Sequence, residues 1–374
     1  MTSGSAAPGP ATSVLRRRLA RARQHAGDVG IVLAPGADLR YLLGRAGGSH
    51  ERLTALVLPL EGPPAFVVPA LEAPGFADLL DDDLGVEVVT WVDGQDPYAI
   101  VAARLGSVET IALGDALPAL HVLPLRDELP SARQVLAGPI MRELRMRKDG
   151  AEIDALRAAG AAIDRVHARV GEWLRPGRTE AEVGADIAAA IVEEGHTRAD
   201  FVIVASGPHG ASPHHEVSDR VITTGDVVVV DIGGPTAAGY YSDSTRTYAV
   251  GPLRDRDVAD AYAVLEQAQA AAVAAVRPGV TAHAVDAAAR DLITAAGYGE
   301  FFIHRTGHGI GLEVHEEPYI VAGNDLVLET GMAFSIEPGI YQPGRWGARI
   351  EDIVVVTADG VESLNHRPHG LEQV

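Results

Sequence analysis

Residues 150–374 contain one long-period repeat, and it constrains the fold more than any other feature of the chain. An alanine-rich helical stretch from about Ala151 to Glu194, interrupted at RPGRTE, is followed by a strand, by ASGPHG and by TTGDVVVVDIGG. A second such stretch, roughly Asp257 to Ala296, is interrupted at RPGVTA and leads into FFIHRTGHGIG and ETGMAFSIEPGI. Laying Gly225 on Gly331 places Asp231 on Glu337, each six residues after its glycine at the end of an apolar strand. The following strand of each half carries another acid, Asp243 in YYSDSTRTY and Glu351 in ARIEDIVVV, 12 and 14 residues further on. Two copies are too few for a solenoid. The pattern predicts two αβ halves related by an approximate two-fold axis, with four carboxylates in matching places.

Asp231 follows four valines, Glu337 follows Phe334 and Ile336, and Glu351 follows Ile350, so these acids belong to apolar strands. Buried carboxylates are costly unless something cationic sits among them. Arg246 and Arg349 are near in sequence, but divalent metal ions fit better, since two of them carry the charge that four carboxylates lack. Oxygen donors with one imidazole suit Mn²⁺, Co²⁺, Fe²⁺ or Zn²⁺. His304, His308 and His315 lie together in HRTGHGIGLEVHE. His308 is the ligand candidate, because Gly307 and Gly309 would let the backbone approach an ion closely. HEEPY is not HExxH, and GHGIG lacks the lysine of a phosphate loop. Ser242 and Ser244 are not in GxSxG, and are expected to support Asp243 by hydrogen bonding.

Composition removes other chemistries. The 374-residue chain has no cysteine, which excludes disulfides, thiol nucleophiles and iron–sulfur clusters, and its single lysine, Lys148, leaves little room for Schiff-base catalysis. A net charge of −20 argues against a nucleic-acid partner. No apolar run is long enough to span a membrane. LRRRLARARQHAG is followed by no apolar stretch of the export type, so it reads as an amphipathic surface helix, and a cytoplasmic location is expected. Residues 1–13 read as a disordered tail. Short apolar runs, GIVLAPG, ALVLPLEG, AFVVPA, GVEVVTWV and TIALG, predict strands, with helices near ADLRYLLG and DPYAIVAARLG. The expected organisation is an α/β domain over 14–140 and a second domain over 141–374.

With these residues set out, the second domain resembles the pita-bread metallopeptidase family of methionine aminopeptidase, aminopeptidase P, prolidase and the metal-free creatinase. The resemblance rests on SGPHGASPHH, VVDIGG, YYSDSTRT, TGHGIGLEVHE, SIEPG and RIEDIV, in that order. It implies an α/β (α+β) chain: a creatinase/prolidase-like N-terminal domain, then a pseudo-two-fold pita-bread catalytic domain. Asp231, Asp243, His308, Glu337 and Glu351 would hold two divalent ions, manganese first, with cobalt, zinc or iron as alternatives. Asp243 and Glu351 would bridge both ions, Asp231 would complete one, and His308 and Glu337 the other. His214 would lie near the scissile amide, with His215 competing for the part. His315 would stabilise the tetrahedral intermediate, His304 would contact substrate, and Arg349 would help hold the site.

The N-terminal domain points to the Xaa-Pro peptidases rather than to methionine aminopeptidase, and the full ligand set points away from creatinase. The implied reaction is hydrolysis of the bond between an N-terminal residue and proline by a hydroxide bridging the two ions, with Glu337 shuttling the proton. The partners are short peptides with proline second, and the family habit is a homodimer. Several dipeptidases of the family carry arginine where this chain has Tyr319, and the spacer GGPTAAGYYS is slightly long. Dipeptidase and aminopeptidase therefore both stay open, beside a pita-bread protein that binds without catalysis and a metal hydrolase of another small amide.

Overall fold

The computed structural model describes residues 11–48, 51–80 and 84–374, and the chain divides into two compact units, Pro8–Arg145 and Met146–Val374. Most of the expected tail lies outside the described residues, but Thr12 and Ser13 already belong to a helix. The first unit contains α1 (Thr12–Ala26), β1 (Gly30–Leu33), α2 (Ala37–Leu43), β2 (Ala55–Leu58), β3 (Ala65–Pro69), β4 (Glu87–Trp91), α3 (Pro97–Leu105), β5 (Thr110–Leu113), α4 (Ala119–Glu128), β6 (Arg133–Leu136) and α5 (Gly138–Arg145). Its strands form one sheet in the order β4-β3-β2-β1-β5-β6, antiparallel along β1, β2 and β3 and parallel elsewhere. In α1 the buried Leu15, Leu19, Ala22 and Ala26 recur at helical spacing, leaving most of its arginines in water. Helix α5 stays with this unit, so the domain connection lies a few residues beyond the expected 140.

The second unit is built from α6 (Gly150–Trp173), α7 (Glu180–Glu193), β7 (Phe201–Ser206), β8 (Val227–Pro235), β9 (Tyr241–Ala249), α8 (Asp257–Ala275), α9 (Ala282–Ala295), β10 (Gly307–Gly309), β11 (Glu316–Ile320), β12 (Ala333–Ile336), β13 (Gly339–Gln342), β14 (Trp346–Arg349), β15 (Asp352–Val356), β16 (Val361–Ser363) and β17 (Glu372–Gln373). One sheet runs β17-β9-β8-β7, another β11-β10-β12-β15-β16, and β13 and β14 form a hairpin. The two helix pairs match. Asp149 with Glu152 and Thr179 with Glu182 form reciprocal caps on α6 and α7, and Thr281 caps α9. The two glycines that set the repeat in register, Gly225 and Gly331, both have φ of 89°, a conformation that only glycine adopts without strain. Thr179 bridges Val221 in one half as Thr281 bridges Val327 in the other. The pseudo-two-fold relation is thus present in backbone detail.

Strand β8 is buried along its whole length. Val228, Val230 and Ile232 pack with Ile163, Val166 and Ile187 of the first helix pair. By the two-residue period of a strand, Asp231 faces the opposite side. The ladder pairs Asp231 with Thr245 and Gly233 with Asp243, which sets both acids on one face. Between β12 and β15, Ile336 pairs with Asp352, and the register continued by one step places Glu337 opposite Glu351. Apolar side chains on the second half's helices, Leu265, Ala268, Val285 and Ile293, share a core with Phe334, Ile336 and Val354. Among the described residues, no helix is long and apolar enough to cross a membrane.

Candidate metal centre

The strand ends deliver the predicted donors to one buried region. Asp243 on β9, His308 on β10 and Glu351 between β14 and β15 have donor atoms within 4.8 Å of one another. His308 Nε2 lies 3.2 Å from Glu337 Oε1 and 3.5 Å from Asp243 Oδ2. His308 Nδ1 is 3.1 Å from the Gly309 carbonyl oxygen. That oxygen can only accept, so the ring proton belongs on Nδ1, which leaves the Nε2 lone pair facing the carboxylates. Asp231 joins the group through Arg349, whose Nη2 donates to Asp231 Oδ2 at 2.5 Å. Asp231 Oδ1 is buried with no hydrogen-bond partner among the described residues.

The charges do not balance without a further cation. Burial raises Asp243 well above the ordinary carboxylate range, helped by Asp231 and Glu337, and burial with the charge of Asp243 does the same to Glu351. Glu337 is pushed up to about 7, chiefly by burial, with Arg349 opposing the shift. His308 is held neutral, brought down to about 3 by burial and by His315. Four crowded carboxylates, an orphaned oxygen and an imidazole with its lone pair turned inward are a donor set for hard to borderline divalent ions. The residues fit the two ions that the sequence pattern called for.

The remaining predicted residues surround this group. His315 stacks edge-on against His308 at 4.2 Å between ring centres, and burial followed by Arg305 lowers its pKa. His304 Nδ1 donates to the Arg305 carbonyl at 2.7 Å, so its Nε2 accepts from Tyr341 Oη at 2.8 Å. Tyr341 Oη in turn accepts from Arg349 Nη1 at 2.8 Å. His304 therefore belongs to a chain that ends on Arg349 and Asp231, and burial keeps it neutral, with a pKa of about 3. His214 is exposed, whereas His215 turns away to hydrogen-bond Glu180 at 2.8 Å.

Three supporting residues were missed in the sequence. Thr245 Oγ1 donates to Glu351 Oε2 at 2.6 Å and accepts from Arg349 Nε at 3.0 Å, joining the two halves. Ser335 Oγ donates to Glu337 Oε1 and accepts from the His308 N–H, both at 3.0 Å. Tyr341 links His304 to Arg349. Thr245 and Ser335 each stand two residues from an acid on the same strand face, and that period was the available signal. Tyr341 gave none, since its place depends on the β13–β14 hairpin.

Other expectations need correcting. A Cβ on Gly307 would collide with the Ser335 carbonyl oxygen, and one on Gly309 with the Glu317 carbonyl. These glycines are needed for the close approach of β12 and β11. Ser242 Oγ lies 2.7 Å from His196 Nε2 and Ser244 Oγ has no hydrogen-bond partner among the described residues, so neither supports Asp243. Arg246 pairs with Asp352 at 2.7 Å, outside the donor group. Strand alternation explains all three, because neighbouring residues on β9 face opposite sides.

Known proteins agree with this architecture. Residues 154–358 match Metallopeptidase family M24, and residues 16–147 match the Creatinase/Prolidase N-terminal domain. The chain is 61% identical to a probable dipeptidase PepE of Mycobacterium tuberculosis, with 96% of each chain covered. It is 38% identical to an Xaa-Pro dipeptidase of Lactobacillus helveticus, with 92% of this chain and 94% of that one covered. The crystal structure of dipeptidase PepE from Mycobacterium ulcerans superposes with a TM-score of 0.93 at 61% identity, covering 98% of this chain and all of the other. Matched across its catalytic unit by the family pattern and along nearly its whole length by these relatives, the chain belongs to metallopeptidase family M24.

Proposed function

We propose that the protein is a metal-dependent Xaa-Pro peptidase, hydrolysing the bond between an N-terminal residue and a following proline, with dipeptides as its preferred substrates. The observation that carries this reading is the donor set of Asp231, Asp243, His308, Glu337 and Glu351, buried except for the half-buried Glu337, with its four acids in matching places of the two halves. A role in binding alone would not require five intact donors. When bound, two divalent ions would polarise the scissile carbonyl and acidify a water molecule.

The chain's own groups do the rest. Ser335 orients Glu337, which carries the proton to the leaving proline nitrogen. His315, beside His308, is placed to hydrogen-bond the oxygen that gains charge, and His214 the substrate amide. Arg349 and Thr245 fix Asp231 and Glu351 so that neither carboxylate must reorganise during the reaction. Proline supplies no N–H at the scissile bond, so its acceptance rests on shape and apolar contact.

Dipeptide preference is supported by the relatives' names and by Arg305. Its guanidinium carbon lies 4.5 Å from the centre of the Tyr319 ring, and it has no ion pair among the described residues. Its charge reaches His308, His315 and Glu337. A cation so placed suits the free carboxylate of a dipeptide. We assign manganese as the working ion because the donors are mainly oxygen, and the reading includes a homodimer acting in the cytoplasm.

The test is an assay of Ala-Pro and of a longer Ala-Pro peptide after chelation and after addition of Mn²⁺, Co²⁺ or Zn²⁺. Hydrolysis that survives complete chelation would sink the mechanism. Equal turnover of both peptides would remove the dipeptide preference. Light scattering and cell fractionation decide oligomeric state and location.

A further inference from the structure

The segment that carries His214 helps to build a second constellation around Glu180, the first residue of α7. This carboxylate is fully buried. Its Oε1 accepts from the Ser206 N–H at 2.8 Å and from Ser206 Oγ at 2.6 Å, and its Oε2 accepts from Ser218 Oγ at 2.7 Å. Two imidazoles meet its remaining side: His215 Nε2 is 2.8 Å from Oε2, and His209 Nδ1 is 3.1 Å from both oxygens. The two rings are 4.3 Å apart and tilted by 36°. The three donor atoms all lie within 4.8 Å of one another.

We propose that Glu180, His209 and His215 form a third divalent-metal site, separate from the five-donor centre and selective for a late first-row ion, zinc above all. A tetrahedral ion with bonds of about 2.05 Å sets its ligand atoms roughly 3.3 Å apart, which the glutamate–imidazole distances approach without rearrangement of the backbone. Two nitrogens and one carboxylate oxygen suit zinc, cobalt, nickel or copper, and disfavour magnesium and calcium. Three protein ligands leave a fourth position for water.

Each half of the cluster is prepared for such an ion. A neutral imidazole offers its lone pair simply by carrying its proton on the other ring nitrogen, so neither ring must move far. Ser206 grips Oε1 from two directions and fixes the carboxylate plane, the role that outer hydrogen bonds play around metal ligands. The side chains of His209 and His215 are 36% and 16% exposed, so an ion can reach them from water. His215 is the immediate neighbour of His214, so an ion here would tie the His214 segment to helix α7.

The experiment is calorimetric titration of zinc into the chelated full-length Asp243→Ala, His308→Ala double variant, which lacks two donors of the main centre. One zinc is expected to bind, and adding His209→Ala is expected to weaken it at least tenfold. Zinc should raise the melting temperature of the double variant and leave that of the triple variant nearly unchanged. If the double variant does not fold, the wild-type chain is titrated directly; three equivalents are expected, against two for His209→Ala. Two equivalents in the wild-type chain, or unchanged affinity after His209→Ala, would overturn the site. No peptidase activity is read, so failure of the proposed function would not alter these outcomes.

Discussion

Arg349 Nη2 donates to Asp231 Oδ2 at 2.5 Å, and the other oxygen of that carboxylate is buried without a hydrogen-bond partner among the described residues. One protein cation therefore satisfies half of Asp231 and leaves the other half to an ion. Burial works against the charge on Arg349, yet Tyr341, Asp231, Glu337 and Glu351 together hold it firmly protonated. Replacing it with methionine strands a buried carboxylate, at a cost of about 3–5 kcal/mol. Urea unfolding of Arg349→Met should show this loss in chelated protein and a smaller loss with Mn²⁺ present. An equal loss in both conditions would count against metal ligation by Asp231.

Asp243→Ala and His308→Ala each remove a donor from the buried group. Elemental analysis after reconstitution should find fewer than two ions per chain at the main centre. Hydrolysis of Ala-Pro should fall by about a thousandfold or more, as expected when positioning and electrostatic stabilisation are lost together. Full activity in either variant would exclude that residue as a ligand.

Thr245→Val keeps the side-chain shape and deletes the hydroxyl that joins Glu351 to Arg349. Unfolding in chelated protein should cost about 1–3 kcal/mol. Metal affinity, measured by competition with a chromogenic chelator, should drop by roughly 10–100-fold. Unchanged affinity would show that Glu351 is positioned without Thr245.

Arg305→Ala tests the carboxylate contact. KM for Ala-Pro should rise by about tenfold or more, in line with the loss of one charged hydrogen-bonded pair, while KM for an amidated Ala-Pro substrate should barely change. Parallel rises for both substrates would assign Arg305 a structural part instead.

His167 is fully buried between α6 and β9, with Nδ1 3.0 Å from Tyr248 Oη and Nε2 3.1 Å from the Ser244 carbonyl oxygen. Burial and then Arg246 bring its pKa down to about 3. An unfolded histidine titrates near 6.5, so between the two values the unfolded chain binds the extra proton and stability falls as pH falls. The slope from this residue is about 1.4 kcal/mol per pH unit below 6.5. In chelated protein, His167→Gln should lose stability less steeply than wild type between pH 6.5 and 4.5. Identical slopes would show that His167 does not titrate on unfolding.

The sequence by itself determined the repeat, and with it the matched helix pairs, the order of strands and the four acids. Those features are local: a positive-φ glycine, a capping threonine and an apolar strand ending in an acid can each be read from neighbouring residues. Of the three histidines in HRTGHGIGLEVHE, His308 was singled out by its flanking glycines, and its Nε2 does lie 3.2 Å from Glu337 Oε1, although those glycines serve the approach of neighbouring strands. Only the tertiary structure decided how these groups share their charge. Thr245 reaches Glu351 across 106 residues, Arg349 reaches Asp231 across 118, and Tyr341 completes the chain to His304 through a hairpin that the repeat does not contain. The same holds for Glu180, whose two histidines come from a turn that follows β7. Such contacts depend on which strand face each residue occupies and on how the two halves are paired. A one-residue change of register would turn every one of them to the other side of the sheet, and register is a property of packed strands rather than of any single segment.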